Sequence, residues 1–433
     1  MKEQTIKILA IESSCDETAA AVITETTVDG RQTTGQERKS SGSLSSVGNR
    51  PVILSNIVSS QIDLHAKTGG VVPEVASRAH MEAIMPVIQE ALETARETQE
   101  LGNRLRVTKP VSSSGERYTA MSADRQAGKR ITATDTGIVT VNRKPSAMDL
   151  FSDLTHIAVT NGPGLIGSLL VGFNAAKSLA YAKDLPVIPI NHIEGHIFSA
   201  LCAERQKAKV ERQIYECMEN YQYPLLALVV SGGHTSLIYA KSEGKYQVIG
   251  ETLDDAAGEA FDKVAKLLKL GYPGGPKISK KAMIFRQKNI SGTIIFPRPL
   301  LKENNFNFSF SGLKTAVLRE VIDSKYLDED KKQEISAAFE DAVVDVLVSK
   351  SMKAYDKLKP NTFVLAGGVS ANEKLRKTLD EAVFKQSGKR LLIPPLSLCG
   401  DNAAMIGIAA YYHIKRDDIA KWNEINIDSN AEL

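Results

Sequence analysis

Short apolar runs ending in polar turns alternate with longer stretches of helical period along this chain, and the alternation predicts a mixed α/β protein. Residues 6–13 read as a strand that ends in the turn Ser13-Ser14-Cys15-Asp16-Glu17-Thr18, and residues 19–23 form a second apolar run. The design returns in the second half. Residues 225–230 read as a strand, Ser231-Gly232-Gly233-His234-Thr235 as a turn, and residues 236–240 as the next strand. Strand, short polar turn and strand at the head of each half suggest an internal duplication, with two unrelated hairpins as the plainer alternative.

Between these hairpins residues 52–60 read as a strand and 74–94 as a helix, with Val75, Ala79, Ala83 and Val87 at helical spacing. Residues 155–160 and 186–190 read as strands, separated by Asn161-Gly162-Pro163-Gly164 and a helix from Leu165. In the second half, residues 259–270 and 334–358 read as helices, 362–366 and 391–394 as strands, and 401–415 as a last helix. Three stretches break the pattern: 24–50, rich in Ser, Thr, Gly and Arg; 99–148, polar with scattered basic residues; and 203–223, charged. They read as surface insertions. Their basic residues could touch RNA, but a solvated surface is the plainer reading. The chain thus divides into lobes of residues 1–200 and 201–433.

Composition changes this picture little. A length of 433 residues allows two or three domains, and a net charge of +3 neither demands nor excludes nucleic acid. Cys15, Cys202, Cys217 and Cys399 are scattered without a C-x-x-C, so no disulfide framework and a reducing compartment are expected. The N-terminus shows neither a signal-peptide core nor an Arg-rich presequence. Residues 165–182 are the most membrane-like stretch, but Asn174 and Lys177 interrupt them, and a buried helix is the better reading. The expectation is a cytoplasmic protein without membrane contact.

The segment Asn191-His192-Ile193-Glu194-Gly195-His196 carries the sharpest chemistry. Two imidazoles four residues apart share one face of a helix and can reach one metal ion. Glu194 falls about 200° around that helix from His192, so it cannot serve as the water-activating base of an H-E-x-x-H protease. Asp401, in Gly400-Asp401-Asn402-Ala403, reads either as an N-cap or as the carboxylate completing a His-His-Asp site suited to iron or zinc.

Two strands run into Gly-Gly turns, Val229-Val230-Ser231-Gly232-Gly233 and 364–372, the second leading into a helix at Asn372. Such turns let a backbone approach a phosphate or ribose, although tight-turn geometry alone explains them almost as well. Asp254, Asp255, Glu259 and Asp262 crowd the start of a helix, where capping accounts for part of the cluster. Asp262 lies deeper and could bind a ribose diol. The loop Gly271-Tyr272-Pro273-Gly274-Gly275-Pro276 suits packing along a flat nucleoside. His65, His80, His156, His234 and His413 are isolated and read as ordinary structural or surface residues. Ser231 lacks the G-x-S-x-G setting of a hydrolase nucleophile.

Taken together, these segments resemble the TsaD family of tRNA threonylcarbamoyladenosine synthases, once described as O-sialoglycoprotein endopeptidases. The resemblance rests on residues 11–18, 69–78, 161–165, 192–196, 230–235, 253–263, 272–276, 308–314, 366–372 and 400–404. It implies a duplicated actin-like ATPase fold of the RNase H-like, ASKHA kind. It implies metal ligands at His192, His196 and Asp401, with iron ahead of zinc, and nucleotide contacts from Val229, Val230, Ser231, Gly232, Gly233, Asp262, Gly275 and Asn372. The reaction it implies moves a threonylcarbamoyl group from threonylcarbamoyl-adenylate to N6 of the adenosine beside the anticodon, in tRNAs that read ANN codons. It also implies partner proteins: a degenerate paralogue, TsaB, and a small ATPase, TsaE. The insertions and Ser279, where many relatives carry an acid, depart from the pattern.

The chemistry agrees with that implication. A mixed anhydride is already activated, so no protein nucleophile is needed, and a metal with open positions can polarise its carbonyl. The competing readings are a metallopeptidase of glycoproteins, which lacks its base, and a non-catalytic nucleotide-binding scaffold, which has no use for the metal residues. A sugar or acetate kinase of the same superfamily needs no His pair.

Overall fold

The computed structural model describes residues 5–27, 49–107, 131–132, 140–141, 150–205, 214–217, 221–324 and 326–433. The strands are Lys7–Glu12 (β1), Glu17–Thr27 (β2), Asn49–Ser60 (β3), Ile131–Thr132 (β4), Thr140–Val141 (β5), His156–Gly162 (β6), Val187–Asn191 (β7), Cys202–Arg205 (β8), Ile214–Cys217 (β9), Leu225–Val230 (β10), Thr235–Ser242 (β11), Lys245–Glu251 (β12) and Thr362–Ala366 (β13). The helices that matter below are Ile62–Thr68 (α1), Pro73–Val107 (α2), Ile166–Lys183 (α3), His192–Ser199 (α4), Ala257–Leu267 (α5), Gly274–Gln287 (α6), Ser311–Asp323 (α7), Glu329–Leu358 (α8), Glu373–Ser387 (α9) and Ala403–Lys415 (α10).

Two sheets repeat one topology. The first has the order β7-β6-β1-β2-β3-β9-β8 and the second β12-β11-β10-β13. In each, a central strand pairs antiparallel with its hairpin partner and parallel with a later strand: β1 with β2 and β6, β10 with β11 and β13. The antiparallel side then continues into β3 and β12 respectively.

Strand alternation builds the layers. On β1, Leu9 and Ile11 pack with α2 and α3, while Ile8 and Ala10 face the opposite side, toward α4 and α10. On β10, Leu225, Ala227 and Val229 face that same central layer, while Leu226, Leu228 and Val230 pack with α5, α6, α8 and α9. All six residues of β1 and all six of β10 are buried, as strands covered on both faces must be. Each buried Ile or Leu contributes roughly 1.5–3 kcal/mol relative to exposure. Helices α4 and α10 therefore lie between the two sheets. Gly195 and Gly407 permit this. A Cβ at Gly195 would stand 2.9 Å from Ile406, and one at Gly407 would stand 2.4 Å from Ile23.

Several expectations change. Helix α2 runs on to Val107, so the stretch at 99–148 begins as helix; of its remainder only the β4–β5 ribbon is among the described residues. In the 24–50 stretch, β2 and β3 extend inward and residues 28–48 lie outside the described ones. The 203–223 stretch includes an edge hairpin, β8–β9, with residues 206–213 and 218–220 outside the described ones. There Cys202 and Cys217 are directly opposed, with Cα atoms 4.0 Å apart, and form a disulfide, contrary to the expectation of none. Sequence spacing cannot show such a pair until the hairpin register is known. Residues 391–394 form a single bridge, Leu392 to Val364, rather than a strand; Pro394 and Pro395 have no N–H to extend a ladder.

The division at residue 200 does not follow the layers either. Helix α10 packs against β1, β2, β3, β6 and β7 of the first sheet. Ala420 bridges Val187, and Ile425 joins the core beneath α2 and α3. The chain's last segment thus returns to the first lobe. No helix among the described residues is long and apolar enough to cross a membrane.

Candidate metal centre and nucleotide cradle

Strand β7 delivers the histidine pair. Its last residue, Asn191, caps α4 by accepting hydrogen bonds from the backbone N–H groups of Ile193 at 2.9 Å and Glu194 at 3.4 Å. That cap starts the helix at His192 and sets His196 on the same face; the two rings stand 4.7 Å apart at 80°. Glu194 occupies the reverse face, where it accepts hydrogen bonds from Tyr246 Oη at 2.8 Å and His413 Nε2 at 2.9 Å. Asp401 comes from the start of α10. The cap there is Asn402, which accepts from Met405 N, so the Asp401 carboxylate is free for the histidines.

Asp401 Oδ1 lies 3.5 Å from His192 Nε2 and 3.2 Å from His196 Nε2. Ligands at about 2.1 Å from one ion stand about 3.0–3.4 Å apart in octahedral or tetrahedral order, so these separations fit a single ion. The protonation pattern fits as well. His192 Nδ1 lies 3.0 Å from Glu12 Oε2, a fully buried carboxylate that can only accept, and 3.1 Å from Ser14 Oγ. The Nδ1 proton is thereby held toward Glu12, and the lone pair of Nε2 faces the Asp401 carboxylate. Two acceptors face one another unless a cation stands between them. His196 is fully buried, and neither ring nitrogen makes a hydrogen bond. A buried imidazole with no hydrogen bond of its own, facing the Asp401 carboxylate, is an available ligand.

The electrostatics say the same. Burial alone would lower the His192 pKa, but the carboxylates of Asp401 and Glu12 outweigh it and raise it to about 9. A proton takes the place a metal cation would take. Burial would raise Glu12 and Asp401, yet His192 holds Glu12 below the usual carboxylate range, and His192 with His196 does so for Asp401. Burial and the charges of Asp401 and Asp16 push Glu17 well above that range.

The glycine turns converge beside this centre. Gly367 has φ +86°, and a Cβ there would stand 2.5 Å from Val230 O, so the two Gly-Gly turns abut. Ser231 O accepts from Gly258 N at the start of α5. Asp262 accepts from Gly274 N at 2.6 Å, which pins the nucleoside-like loop to α5, and burial raises the Asp262 pKa. At Gly232, Gly233, Gly275 and Gly368 nothing stands within 4 Å of where a Cβ would be, so these positions border open space. Val229 and Val230 are buried strand residues that present the turn. Asn372 caps α9 through Leu375 N, and its amide donates to Ser279 Oγ and Glu340 Oε1; its side chain is engaged on the protein side. The acids at 254–255 do not cap the helix that follows them. Asp254 accepts from Phe310 N and Ser311 N and caps α7 instead.

Sequence reading missed Glu12, Ser14 and His234. An acid at the end of a wholly buried strand is itself a signal, because such residues are almost never buried unpaired. His234 sits close enough to His192 and His196 that burial and then their charges lower its pKa to about 4. His80 carries a structural load beneath the site: it bonds Thr18 Oγ1 and donates to Cys15 O, holding the Asp16–Glu17 turn.

A family model described as TsaD, tRNA N6-adenosine threonylcarbamoyltransferase, matches residues 52–108 and 147–408. A tRNA N6-adenosine threonylcarbamoyltransferase of Halalkalibacterium halodurans is 42% identical over 98% of this chain and 96% of its own length. One from Clostridium perfringens is 40% identical over 98% of each. Among solved structures, full-length HypF in its phosphate- and nucleotide-bound form aligns with TM-score 0.44 and 14% identity, over 62% of this chain and 41% of that one. YeaZ from Pseudomonas aeruginosa aligns with TM-score 0.30 and 8% identity over 98% and 100%.

Proposed function

The chain belongs to the TsaD family of tRNA N6-adenosine threonylcarbamoyltransferases, and from that premise we propose that it transfers a threonylcarbamoyl group from threonylcarbamoyl-adenylate to N6 of the adenosine beside the anticodon. The acceptors are tRNAs that read ANN codons, and the products are threonylcarbamoyladenosine and AMP. The observation that carries the reading is the convergence of His192, His196 and Asp401, within a match spanning nearly the whole chain, beside glycine turns that border open space.

In this reading His192, His196 and Asp401 hold one divalent ion. Two imidazoles and one carboxylate with open positions favour iron, with zinc as the alternative. When bound, the ion supplies Lewis-acid polarisation of the carbamoyl carbonyl. The protein does the rest by placement. The N–H groups of Gly232 and Gly233 and the start of α9 take the adenylate phosphate, while the Ser231 N–H is held by His234 O and closes the turn. Asp262 and Gly275 flank the nucleoside, and ATP would occupy the same cradle. The N6–carbon bond forms as the carbon–oxygen bond to phosphate breaks, N6 gives up a proton, and AMP carries away the electron pair. No enzyme nucleophile takes part, in agreement with the absence of a G-x-S-x-G setting around Ser231.

The repeated sheet topology supports the duplicated actin-like, ASKHA-type assignment. The reading places the protein in the cytoplasm with a TsaB-like paralogue and a TsaE-like ATPase. Exposed Met81 and Met85 on α2, with Ile166 and Leu170 on α3, give such a protein an apolar surface to cover.

The test is mass spectrometry of tRNA nucleosides from cells depleted of the native protein, complemented with wild type or His196→Ala. Wild type restores threonylcarbamoyladenosine and the variant does not. Full restoration by the variant removes the metal from the reading. Glycoprotein cleavage without restoration replaces the reading with the peptidase.

A further inference from the structure

The cleft mouth sorts its charges by depth. Glu12, Asp16, Glu17, Asp262 and Asp401 lie within, all buried or half-buried. The rim is basic. Lys67 is exposed in the last turn of α1, two residues before the Gly69-Gly70 turn. Lys266, exposed on α5 one turn beyond Asp262, reaches across from the second lobe; its Nζ lies 3.6 Å from where a Cβ on Gly69 would stand. Lys269 follows it, its N–H bonded to Lys266 O. Lys277 bends back over the nucleoside loop, with Nζ 3.5 Å from the Cβ position of Gly271.

None of these four lysines is paired with an acid, whereas several of their neighbours are. On the same helices Lys263 pairs with Asp255 and Glu259, Lys281 with Glu329, and Lys288 with Asp330. Among the described residues, the side chains of Lys67, Lys266, Lys269 and Lys277 form no ion pair or hydrogen bond. A solvated lysine needs no partner, but four on one rim, drawn from both lobes and surrounding an acidic interior, make a patterned field.

We propose that Lys67, Lys266, Lys269 and Lys277 form the rim on which the phosphates of the tRNA anticodon loop dock, so that the backbone is held at the mouth while the acceptor base enters the cleft. The inference rests on the reading above that tRNA is the acceptor. A phosphate at the rim meets unpaired ammonium groups and releases counterions. The adenine is neutral and enters with only its edge and face. The rim fixes register and the base enters the cleft, the usual division between positioning and recognition.

The test uses full-length protein and an unmodified anticodon stem–loop RNA, with fluorescence anisotropy between 50 and 200 mM KCl, roughly the range where phosphate contacts dominate. The comparison is wild type, the triple variant Lys266→Gln/Lys269→Gln/Lys277→Gln, and Lys385→Gln far along α9 as control. Each lost contact should flatten the slope of log K against log salt by about 0.7–0.9, so the triple variant binds roughly a hundredfold more weakly at 100 mM. The control should match wild type, and KM for tRNA should rise with kcat kept. An active wild type with an unchanged slope in the triple variant overturns the rim and moves the contacts elsewhere, for example to the basic insertion at 99–148. A wild type that forms no threonylcarbamoyladenosine overturns the underlying activity instead.

Discussion

Replacing Glu12 by Gln tests whether the centre is organised for a metal. Glu12 is fully buried and accepts from Ser14 N, Thr160 Oγ1 and His192 Nδ1. Alanine would leave those three donors buried without partners, at about 1–3 kcal/mol each, a large part of the roughly 5–15 kcal/mol that holds a domain folded. Glutamine is the sharper perturbation because it keeps the shape. Its oxygen can still serve Ser14 N, and its amide nitrogen can donate to Thr160, whose hydroxyl is able to accept. Toward His192 the amide also donates, so Nδ1 must accept and the ring proton moves to Nε2, the atom that faces Asp401.

A ring protonated at Nε2 cannot ligate. Losing an orienting carboxylate of this type lowers metal affinity about 10–100-fold, or about 1.4–2.7 kcal/mol. Anaerobic titration of iron(II), and separately of zinc, against a competing chelator reads that change directly. Thermal melting of the metal-free protein reports whether the fold is intact. If the folded Glu12→Gln variant binds metal as tightly as wild type, the Glu12–His192 bond does not set the tautomer and the argument for a preformed centre fails.

In chelator-treated protein the Asp401 and Glu12 carboxylates should hold the His192 pKa up at about 9 against burial, compared with about 6.5 for an unfolded imidazole. A raised folded-state pKa gives stability that is complete below about 6.5 and lost as pH climbs through about 9, at most about 3 kcal/mol. The stability gap between wild type and His192→Gln should therefore narrow across that window, and a constant gap refutes it. Gly367→Ala places a Cβ 2.5 Å from Val230 O at φ +86°, so a loss of about 2–3 kcal/mol is expected in denaturant melts; an unchanged midpoint refutes the close approach of the two turns. Asp254→Ala removes the acceptor at the start of α7 and should lower stability by about 1 kcal/mol, with helix loss in circular dichroism on partial unfolding.

What the sequence made legible depends on what holds each part together. β10 and β13 carry the boundaries read from the sequence, and β1 lies within a residue of them, because a strand buried on both faces is a continuous apolar run. The edge hairpin β8–β9 escapes sequence reading because its strands are only four residues each within a charged stretch and its pairing is set by its neighbour, and Cys202–Cys217 escapes with it. The histidine pair was legible because four residues on one helix fix a distance. The position of Asp401, more than two hundred residues away, was not, because Gly400-Asp401-Asn402 offers two candidates for one cap. Both side chains can accept a hydrogen bond from a helix N-terminus. The structure gives that duty to Asn402, which bonds Met405 N and, through its amide, the carbonyls of Leu398 and Gly400. An aspartate could accept the first of these bonds but donate neither of the others. Only the amide satisfies the cap and the preceding turn together, which leaves the carboxylate one position earlier, turned toward the histidines. The division of labour between adjacent Asp and Asn follows from their donor inventories, and it extends to any exchange of the two. Asp401→Asn with Asn402→Asp should cap the helix less well and lose metal binding with it.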